Sequence, residues 1–257
     1  GLLLNCSVSR DSVEPATSTG VHQGLGLAPE AMNFDISNAC LGVLSGMAVT
    51  ASFIEQGLVQ TGLVVAAEKA RPLVEATIHL LNSDTSLDRQ TIKPQFASLT
   101  IGSAAVAVLL KHRDASNTNH RLLGGAELAD TRFNDLCRGG ADTGMHAGSQ
   151  PLMNTASGEL LRQGVSVARD CWNRTKNELD WSKSTPDVIC THQVGRIHQE
   201  ALFRALDLDT EKNVSTFETS GNCGAASLPL TVGHALSEGR LCDGNRLAML
   251  GIGSGIN

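Results

Sequence analysis

The chain has 257 residues, of which 41 % are hydrophobic and 18 % are charged, a composition typical of a globular protein with one large domain or two small ones. The net charge of -6, without any run of Lys or Arg, argues against a nucleic-acid partner. No apolar run is long enough to span a bilayer, and the start of the chain does not have the pattern of a signal peptide.

Short aliphatic runs alternate with longer helical stretches along the chain. The runs that predict strands are residues 1–9, 31–37, 61–68 and 104–112. The stretches that predict helices are residues 41–56, 159–179 and 197–206. This alternation is typical of an α/β fold with mostly buried strands.

Seven cysteines are scattered along the chain without a CxxC pair. Their spacing fits neither a disulfide framework nor a zinc-binding pattern. We therefore expect reduced thiols, no metal site and a cytoplasmic location.

The second half of the chain repeats the order of elements of the first. With Cys40 placed over Asn222, "CLGVLSGMAVTASFIEQG" lies over "NCGAASLPLTVGHALSEG", and Gly57 falls on Gly239. Few residues are identical, but the order strand, polar loop, short helix, strand, small-residue turn, apolar helix, strand occurs twice. This repetition predicts an internal duplication.

The duplication predicts a division of the chain into three parts. Residues 1–110 form an N-terminal half, and residues 159–257 form a C-terminal half. Between them, residues 111–158 are polar and long for a loop, so we expect them to cover a site. The chain begins and ends abruptly in strand-like sequence, from which we expect a fold truncated at both ends.

Two helical stretches, residues 41–54 and 223–236, carry almost no charge. A helix that is apolar on all sides is normally buried. Small residues such as Gly42 and Gly46 indicate that another backbone passes close to the first of these helices. Two equivalent buried helices at the centre of a duplicated protein predict a site between the halves.

Cys40 precedes the first of these helices. A helix N-terminus lowers the pKa of a thiol and favours the nucleophilic thiolate, and Ser37 and Asn38 are suited to capping the helix or forming the turn. For any one of seven cysteines, a structural role is the simpler interpretation. Cys40 differs from most of them because only Cys40 and Cys223 lie at the start of an apolar helix.

Four other residues, and a weaker fifth, are candidates for the same site. Asn222 starts the second apolar helix, where its amide can donate to an oxyanion, although Asn is also common in turns. His192 follows a buried strand and can act as an acid, base or donor; His198 is a weaker candidate. Ser254 lies in a Gly-rich tail that lets the backbone approach a ligand. Glu14 can act as a base, although a surface role is commoner for Glu.

The segments "SNACLG", "HQVGRIHQ", "GNCGAASLPL" and "GIGSG" resemble the signatures of thiolase-fold condensing enzymes, in particular the β-ketoacyl-ACP synthase III group. Within that group, "NCSVSRDSVEPATS" ahead of "FDISNACLGVLSGM" is most similar to the OleA-type enzymes of bacterial olefin biosynthesis. The resemblance covers essentially the whole chain. It implies a duplicated five-layer αβαβα sandwich, usually a homodimer, and head-to-head joining of two fatty acyl-CoA molecules into a β-keto acid.

The resemblance also implies roles for individual residues. Cys40 matches the acylated nucleophile, and His192 and Asn222 match the pair that polarises the second thioester. The backbone N–H groups of Cys40 and Ser254 match the oxyanion hole. Glu14 matches the base of OleA-type enzymes, which in that family reaches the site from the partner subunit. Coenzyme A thioesters are then the substrates, and no further cofactor is expected.

The sequence departs from the family pattern in places. The usual "HQANxRI" reads "HQVGRIH", and the family's N-terminal segment and last strand are missing, in agreement with a truncated fold.

Three alternatives remain open at this stage. The first is decarboxylative synthase III chemistry in fatty acid biosynthesis, with malonyl-ACP as the extender and no need for a base. The second is a non-catalytic thiolase-fold subunit, although the retained Cys40, His192 and Asn222 argue against it. The third is a thiol oxidoreductase, for which Cys223 is the plausible partner of Cys40.

Overall fold

The computed structural model describes residues 1–12, 14–139 and 152–257. The strands are β1 Leu2–Asn5, β2 Met32–Asp35, β3 Thr61–Glu68, β4 Ala104–Lys111, β5 Cys137–Gly139, β6 Met153–Thr155, β7 Val188–Thr191, β8 Asn213–Val214 and β9 Leu247–Leu250. The α-helices are α1 Thr17–Gly24, α2 Gly42–Glu55, α3 Arg71–Ser83, α4 Arg89–Ile92, α5 Ser157–Leu179, α6 Arg196–Leu206, α7 Phe217–Ser220 and α8 Ser227–Ser237. One-turn 3-10 helices at Ala39–Leu41 and Gly224–Ala226 lead into α2 and α8.

Two mainly parallel sheets organise the described part of the chain. The first has the order β2-β1-β3-β4, with β4 antiparallel to β3, and the second has the order β8-β7-β9 with parallel strands. Leu2 of β1 pairs with Met32 and Gly62, and Val188 of β7 pairs with Leu247. Strands β5 and β6 form a separate antiparallel pair.

The predicted repeat is confirmed by the topology. In each half, the chain passes from the central strand through a helix to a strand on one side of it. The chain then passes through a 3-10 turn and an apolar helix to a strand on the other side of the central strand. The two parallel triplets, β2-β1-β3 and β8-β7-β9, therefore have the same strand order. The predicted helices agree with α2, α5 and α6 to within two residues at each end.

The central strand of each sheet is buried along its whole length. Leu2, Leu3 and Leu4 of β1 are at most 3 % exposed, and Ile189 and Cys190 of β7 are fully buried. Strands covered on both faces are expected to be continuously apolar, as these are. Each large aliphatic side chain buried here stabilises the fold by roughly 1.5–3 kcal/mol, which fixes the two sheets as the frame of the site.

Helix α2 packs closely on the first sheet, as its small residues predict. A Cβ atom on Gly42 would lie 2.2 Å from the carbonyl oxygen of Cys6, and one on Gly46 would lie 2.6 Å from the Cys6 Sγ. The prediction that α2 is buried on all sides is wrong, since Ala48 and Ser52 are exposed. Its apolar character is explained by a second face that lines a cavity instead of a packed core.

The segment predicted to connect the halves contains little regular structure where it is described. It includes β5, β6 and one-turn 3-10 helices at Arg113–Ala115 and Thr131–Phe133, and α5 begins at Ser157. Residues 140–151 of this predicted segment lie outside the described residues. In the described ranges no helix combines the length and the apolar character needed to cross a membrane.

Candidate active site

A cavity of about 1640 Å³ is lined by residues from both halves of the chain. Cys40, His192, Asn222 and Ser254 all line this cavity, so the structure brings four of the five predicted site residues together. Glu14 does not line it and is exposed on the loop between β1 and α1. The cavity has a largely apolar interior with a few polar groups, which is typical of a small-molecule site.

The turn that presents Cys40 is held by the Gly-rich tail. Cys40 is the middle residue of the 3-10 turn Ala39–Leu41, and Ala39 has a positive φ of 45°. A Cβ on Gly251 would lie 2.4 Å from a methyl of Leu41, and one on Gly253 would lie 3.5 Å from the carbonyl oxygen of Asn38. The tail thus lies directly against the Cys40 turn, and a side chain at Gly251 would require Leu41 to move.

Asn38 forms the turn, which is one of its two predicted roles, because its carbonyl accepts the N–H of Leu41 at 3.0 Å, but it does not cap the helix. Its side chain makes no capping hydrogen bond. Instead, its Nδ2 donates to the Oγ of Ser45 at 2.8 Å, and its Oδ1 accepts from the Nδ2 of Asn257 at 3.0 Å. Asn38 thus ties the Cys40 turn to α2 and to the tail that carries Ser254.

The prediction of a lowered thiol pKa for Cys40 is also wrong. Burial raises the pKa of Cys40 to about 12, and the neighbouring Cys137 and Glu68 act in the same direction, while its own backbone N–H lowers the pKa slightly. Desolvation therefore outweighs the single helical turn. The thiol is protonated at neutral pH and needs a base when it reacts.

The backbone N–H groups of Cys40 and Ser254 are available as donors. Neither donates to the backbone or side chain of another described residue. The Ser254 side chain is engaged separately, since its Oγ donates to the Sγ of Cys137 at 3.3 Å. Cys137 is one of three further thiols that line the cavity, with Cys171 and Cys242, and sequence reasoning missed it because its distance of nearly a hundred residues from Cys40 gives no signal in the sequence.

The turn that presents Asn222 orients its amide. The backbone of Asn222 pairs with the segment around Ile101, with its N–H donating to the Thr100 carbonyl at 2.9 Å. Its side-chain Oδ1 accepts the N–H of Gly224 at 3.0 Å and the hydroxyl of Ser227 at 3.3 Å. Because the oxygen is already occupied, the Nδ2 is the polar group of Asn222 that is left to donate to a ligand.

His192 is fixed where β7 ends. Its N–H donates to the Leu250 carbonyl at 2.9 Å, the residue is 8 % exposed, and its Nδ1 is buried without a partner among the described residues. The next residue, Gln193, accepts the N–H groups of Thr216 and Phe217 at 2.9 and 3.0 Å. Gln193 therefore links the His192 strand to the segment that leads to Asn222, a role that sequence reasoning missed.

Burial keeps His192 neutral. Burial, together with a smaller effect of the nearby imidazole of His198, lowers the pKa of His192 to about 4. Burial also lowers the pKa of His198, which lines the same cavity. A neutral imidazole at pH 7 can both donate and accept a proton, which suits the predicted role of His192.

Glu68 is a third residue that sequence reasoning missed. It ends β3, is 7 % exposed and lines the cavity. Its position at the carboxyl end of a parallel strand, in the same sheet as the strand that leads to Cys40, was the available signal, because ligands of open α/β sheets bind at that edge.

The chain matches two family models over most of its length. Residues 34–127 match the model described as 3-oxoacyl-[acyl-carrier-protein (ACP)] synthase III, and residues 177–257 match the C-terminal model of the same family.

Curated relatives agree with the family models. The chain is 36 % identical over its whole length to the acyl-CoA:acyl-CoA alkyltransferase of Shewanella oneidensis, and covers 74 % of that protein. It is 35 % identical to the protein of the same name from Xanthomonas campestris, and covers 73 % of it. A β-ketoacyl-ACP synthase III from Pseudomonas aeruginosa is 29 % identical over 94 % of this chain and 69 % of that protein.

Solved structures show the same fold. A crystal structure of a glutamate-to-alanine variant of Xanthomonas campestris OleA has a TM-score of 0.92 and 33 % identity, covering 100 % of this chain and 72 % of that chain. A cysteine-to-serine variant of OleA with bound lauric acid and lauroyl-CoA has a TM-score of 0.91 and 33 % identity, over 99 % and 73 % of the two chains. The chain therefore has a thiolase-like fold and belongs to the 3-oxoacyl-ACP synthase III family, as an OleA-type member.

Proposed function

We propose that this chain is an acyltransferase that joins two fatty acyl-CoA molecules head to head through a Cys40 acyl-enzyme, giving a β-keto acid. The observation that carries the proposal is the convergence of Cys40, His192 and Asn222 on one cavity, at matching ends of duplicated elements. The names of the relatives at 35 % and 36 % identity support the same activity. The substrates are coenzyme A thioesters, and the mechanism needs no further cofactor.

In the first half-reaction the Cys40 Sγ attacks the carbonyl of an acyl-CoA, and the bond to the coenzyme A sulfur breaks. Because the pKa of Cys40 is raised to about 12, its proton must leave during the attack. The attack and the loss of the proton are therefore concerted, with the neutral imidazole of His192, which lines the same cavity, as the acceptor; because its pKa is about 4, it takes the proton only as the carbon–sulfur bond forms. The N–H groups of Cys40 and Ser254 stabilise the developing oxyanion.

In the second half-reaction a second acyl-CoA loses an α-proton to Glu14. The resulting carbanion attacks the acyl group on Cys40; the new carbon–carbon bond forms, the bond to the Cys40 Sγ breaks, and the sulfur takes back the proton held by His192. The amide Nδ2 of Asn222 and the imidazole of His192 donate to the enolate oxygen. Hydrolysis of the remaining thioester then gives the β-keto acid.

A homodimer is part of the proposal, with Glu14 serving the cavity of the second copy. Strand β2 lies at the edge of the first described sheet and exposes Met32 and Phe34, and such an edge is suited to pairing with another strand. Asp35 at the end of β2 accepts the N–H groups of Thr17 and Ser18 at 3.0 and 2.9 Å. The segment that follows Glu14 is thereby held beside the same edge.

The proposal extends to the organisation and location of the chain. The repeated order of elements supports a division into residues 1–110, 111–158 and 159–257. The seven cysteines are all free in the structure, which agrees with a cytoplasmic protein.

Acyl transfer to Cys40 provides the direct test. The chain is incubated with myristoyl-CoA, and the covalent adduct and the condensation product are measured by mass spectrometry. We expect an acyl adduct and a β-keto acid with the native chain, and neither with Cys40→Ala. Cys242→Ala removes an exposed thiol and is the matched control, which should react like the native chain. An undiminished adduct on Cys40→Ala would contradict the proposal.

A further inference from the structure

The backbone of Asn222 is held by a segment from the first half of the chain. The N–H of Asn222 donates to the Thr100 carbonyl at 2.9 Å, and the N–H of Gly102 donates to the Asn222 carbonyl at 2.8 Å. These two bonds form a parallel bridge between Ile101 and Asn222 that lies outside the strands of both sheets. Both main-chain hydrogen-bonding groups of Asn222 are therefore fixed by residues 100–102.

Two glycines allow the two segments of this bridge to approach each other closely. A Cβ on Gly102 would lie 1.8 Å from the carbonyl oxygen of Ser220. A Cβ on Gly221 would lie 2.6 Å from the carbonyl oxygen of Thr100. Both oxygens belong to the main chain and cannot rotate away as the end of a side chain can. A side chain at either glycine therefore has to displace the turn that carries Asn222.

Residues 100–102 are anchored to the first sheet, which also supports Cys40. The Oγ of Ser103, the next residue, accepts the N–H of Ala70 at 2.9 Å, and β4 begins directly after it. Helix α2, which Cys40 precedes, packs on the same sheet. The first sheet is therefore a common support for the Cys40 turn and the Asn222 turn.

The side chain of Asn222 has little freedom of its own. Its Oδ1 accepts the N–H of Gly224 at 3.0 Å and the hydroxyl of Ser227 at 3.3 Å. The direction of its Nδ2 consequently follows the backbone of the turn. A displacement of that backbone moves the donor relative to the acyl group on Cys40.

We propose that Gly102 is a positioning residue for the condensation step, because it lets the first half of the chain hold the Asn222 amide where the enolate oxygen forms. Gly102 does not line the cavity, so it acts through Asn222 and not on the substrate. Asn222 and Cys40 line the cavity of the same chain, so this alignment does not depend on a partner subunit. The inference rests on the proposed function, since it takes Asn222 as the donor to the enolate.

Gly102→Ala tests the positioning with the smallest possible side chain. The φ of Gly102 lies outside the left-handed region, so the contact with Ser220 is what the substitution changes. We expect the rate of condensation to fall about 10²-fold, as for a misplacement of about 1 Å in an active site. The rate of Cys40 acylation, followed by intact mass, should stay within about threefold of the native value. In the described ranges no backbone hydrogen bond joins residues 100–102 to the Cys40 turn.

The same substitution in an Asn222→Ala background separates positioning from general support of the fold. Asn222→Ala removes the amide, so Gly102→Ala then has no donor to misplace and should lower the remaining condensation rate by less than about twofold. Losses that multiply, an equal loss of acylation and condensation, or native condensation in Gly102→Ala would overturn the proposal. Gly233→Ala adds a Cβ in open space and is the matched control, which should react like the native chain.

A second variant, Gly221→Ala, covers a failure of Gly102→Ala to fold. It displaces the same bridge from the side of Asn222, and we expect the same split between condensation and acylation. Gly239→Ala is its control, because Gly239 has a φ of 68°, close to the 67° of Gly221, but no described atom within 4 Å of a Cβ. Backbone strain alone is thereby separated from the contact with Thr100.

If Gly102→Ala and Gly221→Ala both unfold, the bridge belongs to the fold as a whole and the proposal is overturned. Failure of the proposed function has a different signature, since the native chain itself would then form no product from two acyl-CoA molecules.

Discussion

Gly42 lies against the carbonyl of Cys6, and a Cβ on Gly42 would stand 2.2 Å from that oxygen. Gly42 begins α2, and Cys6 follows β1 and donates its N–H to the Val65 carbonyl of β3 at 2.8 Å, so Gly42→Ala must push α2 away from the sheet. We expect a loss of about 1–3 kcal/mol in the free energy of unfolding, measured by urea denaturation. Cys40 precedes this glycine by two residues, so acylation should slow as well.

Gly233 provides the control for Gly42, because it lies in the matching helix α8 with no atom within 4 Å of a Cβ. Gly233→Ala should leave the stability unchanged or raise it by about 0.5–1 kcal/mol through the unfolded state. If the two substitutions changed the free energy of unfolding equally, the close contact between Gly42 and Cys6 would not be the reason that position 42 requires glycine.

Asn222→Asp replaces the donor Nδ2 by an oxygen while keeping the shape of the side chain. The Oδ1 contacts with Gly224 and Ser227 can persist, but the enolate loses a donor and meets a negative charge. We expect condensation to fall by about 10²–10³-fold, with acylation of Cys40 largely retained. Asn117→Asp, at an exposed position, is the control for the added charge.

The repeat in the sequence was enough to place Cys40 and Asn222 at two matching turns, because both turns are fixed by strands and helices of recognisable pattern. The structure confirms that repeat and brings the two residues to one cavity with His192. What ties the Asn222 turn to the first sheet could not be predicted. The contact between Glu68 and Ala225 spans 157 residues, and it exists only once β3 and the second half are assembled.

The pKa values and hydrogen bonds of individual side chains were harder to predict from the sequence than their positions in the fold. The helix start suggested a lowered pKa for Cys40, but desolvation by the surrounding fold raises it to about 12. Asn is a common capping residue, yet the side chain of Asn38 binds Ser45 and Asn257 instead. In both cases a local rule was outweighed by contacts from distant parts of the chain.

Glu14→Gln separates the two kinds of condensation that family members perform. Without its base the chain should lose most of its product from myristoyl-CoA alone, because the α-proton is no longer removed. A decarboxylative reaction of acetyl-CoA with malonyl-ACP needs no such base and should be unaffected. Glu30→Gln, another exposed carboxylate of the first half, is the control. Full activity of Glu14→Gln on myristoyl-CoA, or native activity confined to malonyl-ACP, would favour the synthase III reaction.

The raised pKa of Cys40 predicts a steep pH dependence of its alkylation. Only the thiolate reacts with iodoacetamide, so the rate at Cys40 should rise about tenfold for each pH unit from 7 to 10, without a plateau. The measurement follows the Cys40 peptide by mass spectrometry, with the exposed Cys242 as an internal comparison. A plateau below pH 9 would show that the thiol is more acidic than its burial implies.

The lowered pKa of His192 predicts that the fold loses stability in mild acid. An unfolded His has a pKa of about 6.5, and that of native His192 is about 4. Between these values the unfolded chain binds a proton that the native chain does not, so the stability is complete above about pH 6.5 and falls as the pH drops towards 4. The lowered pKa of His192 corresponds to about 3 kcal/mol of unfolding free energy. The pKa of His198 is lowered as well, so His198 changes the stability in the same direction.

Urea denaturation at pH 7.5 and pH 4.5 measures this loss. His192→Asn removes the titrating group, so the difference in unfolding free energy between the two pH values should shrink by about 2–3 kcal/mol relative to the native chain. His79→Asn changes an exposed His and should leave the difference as it is. The same pH difference in His192→Asn as in the native chain would show that His192 is protonated as easily in the fold as in the unfolded state.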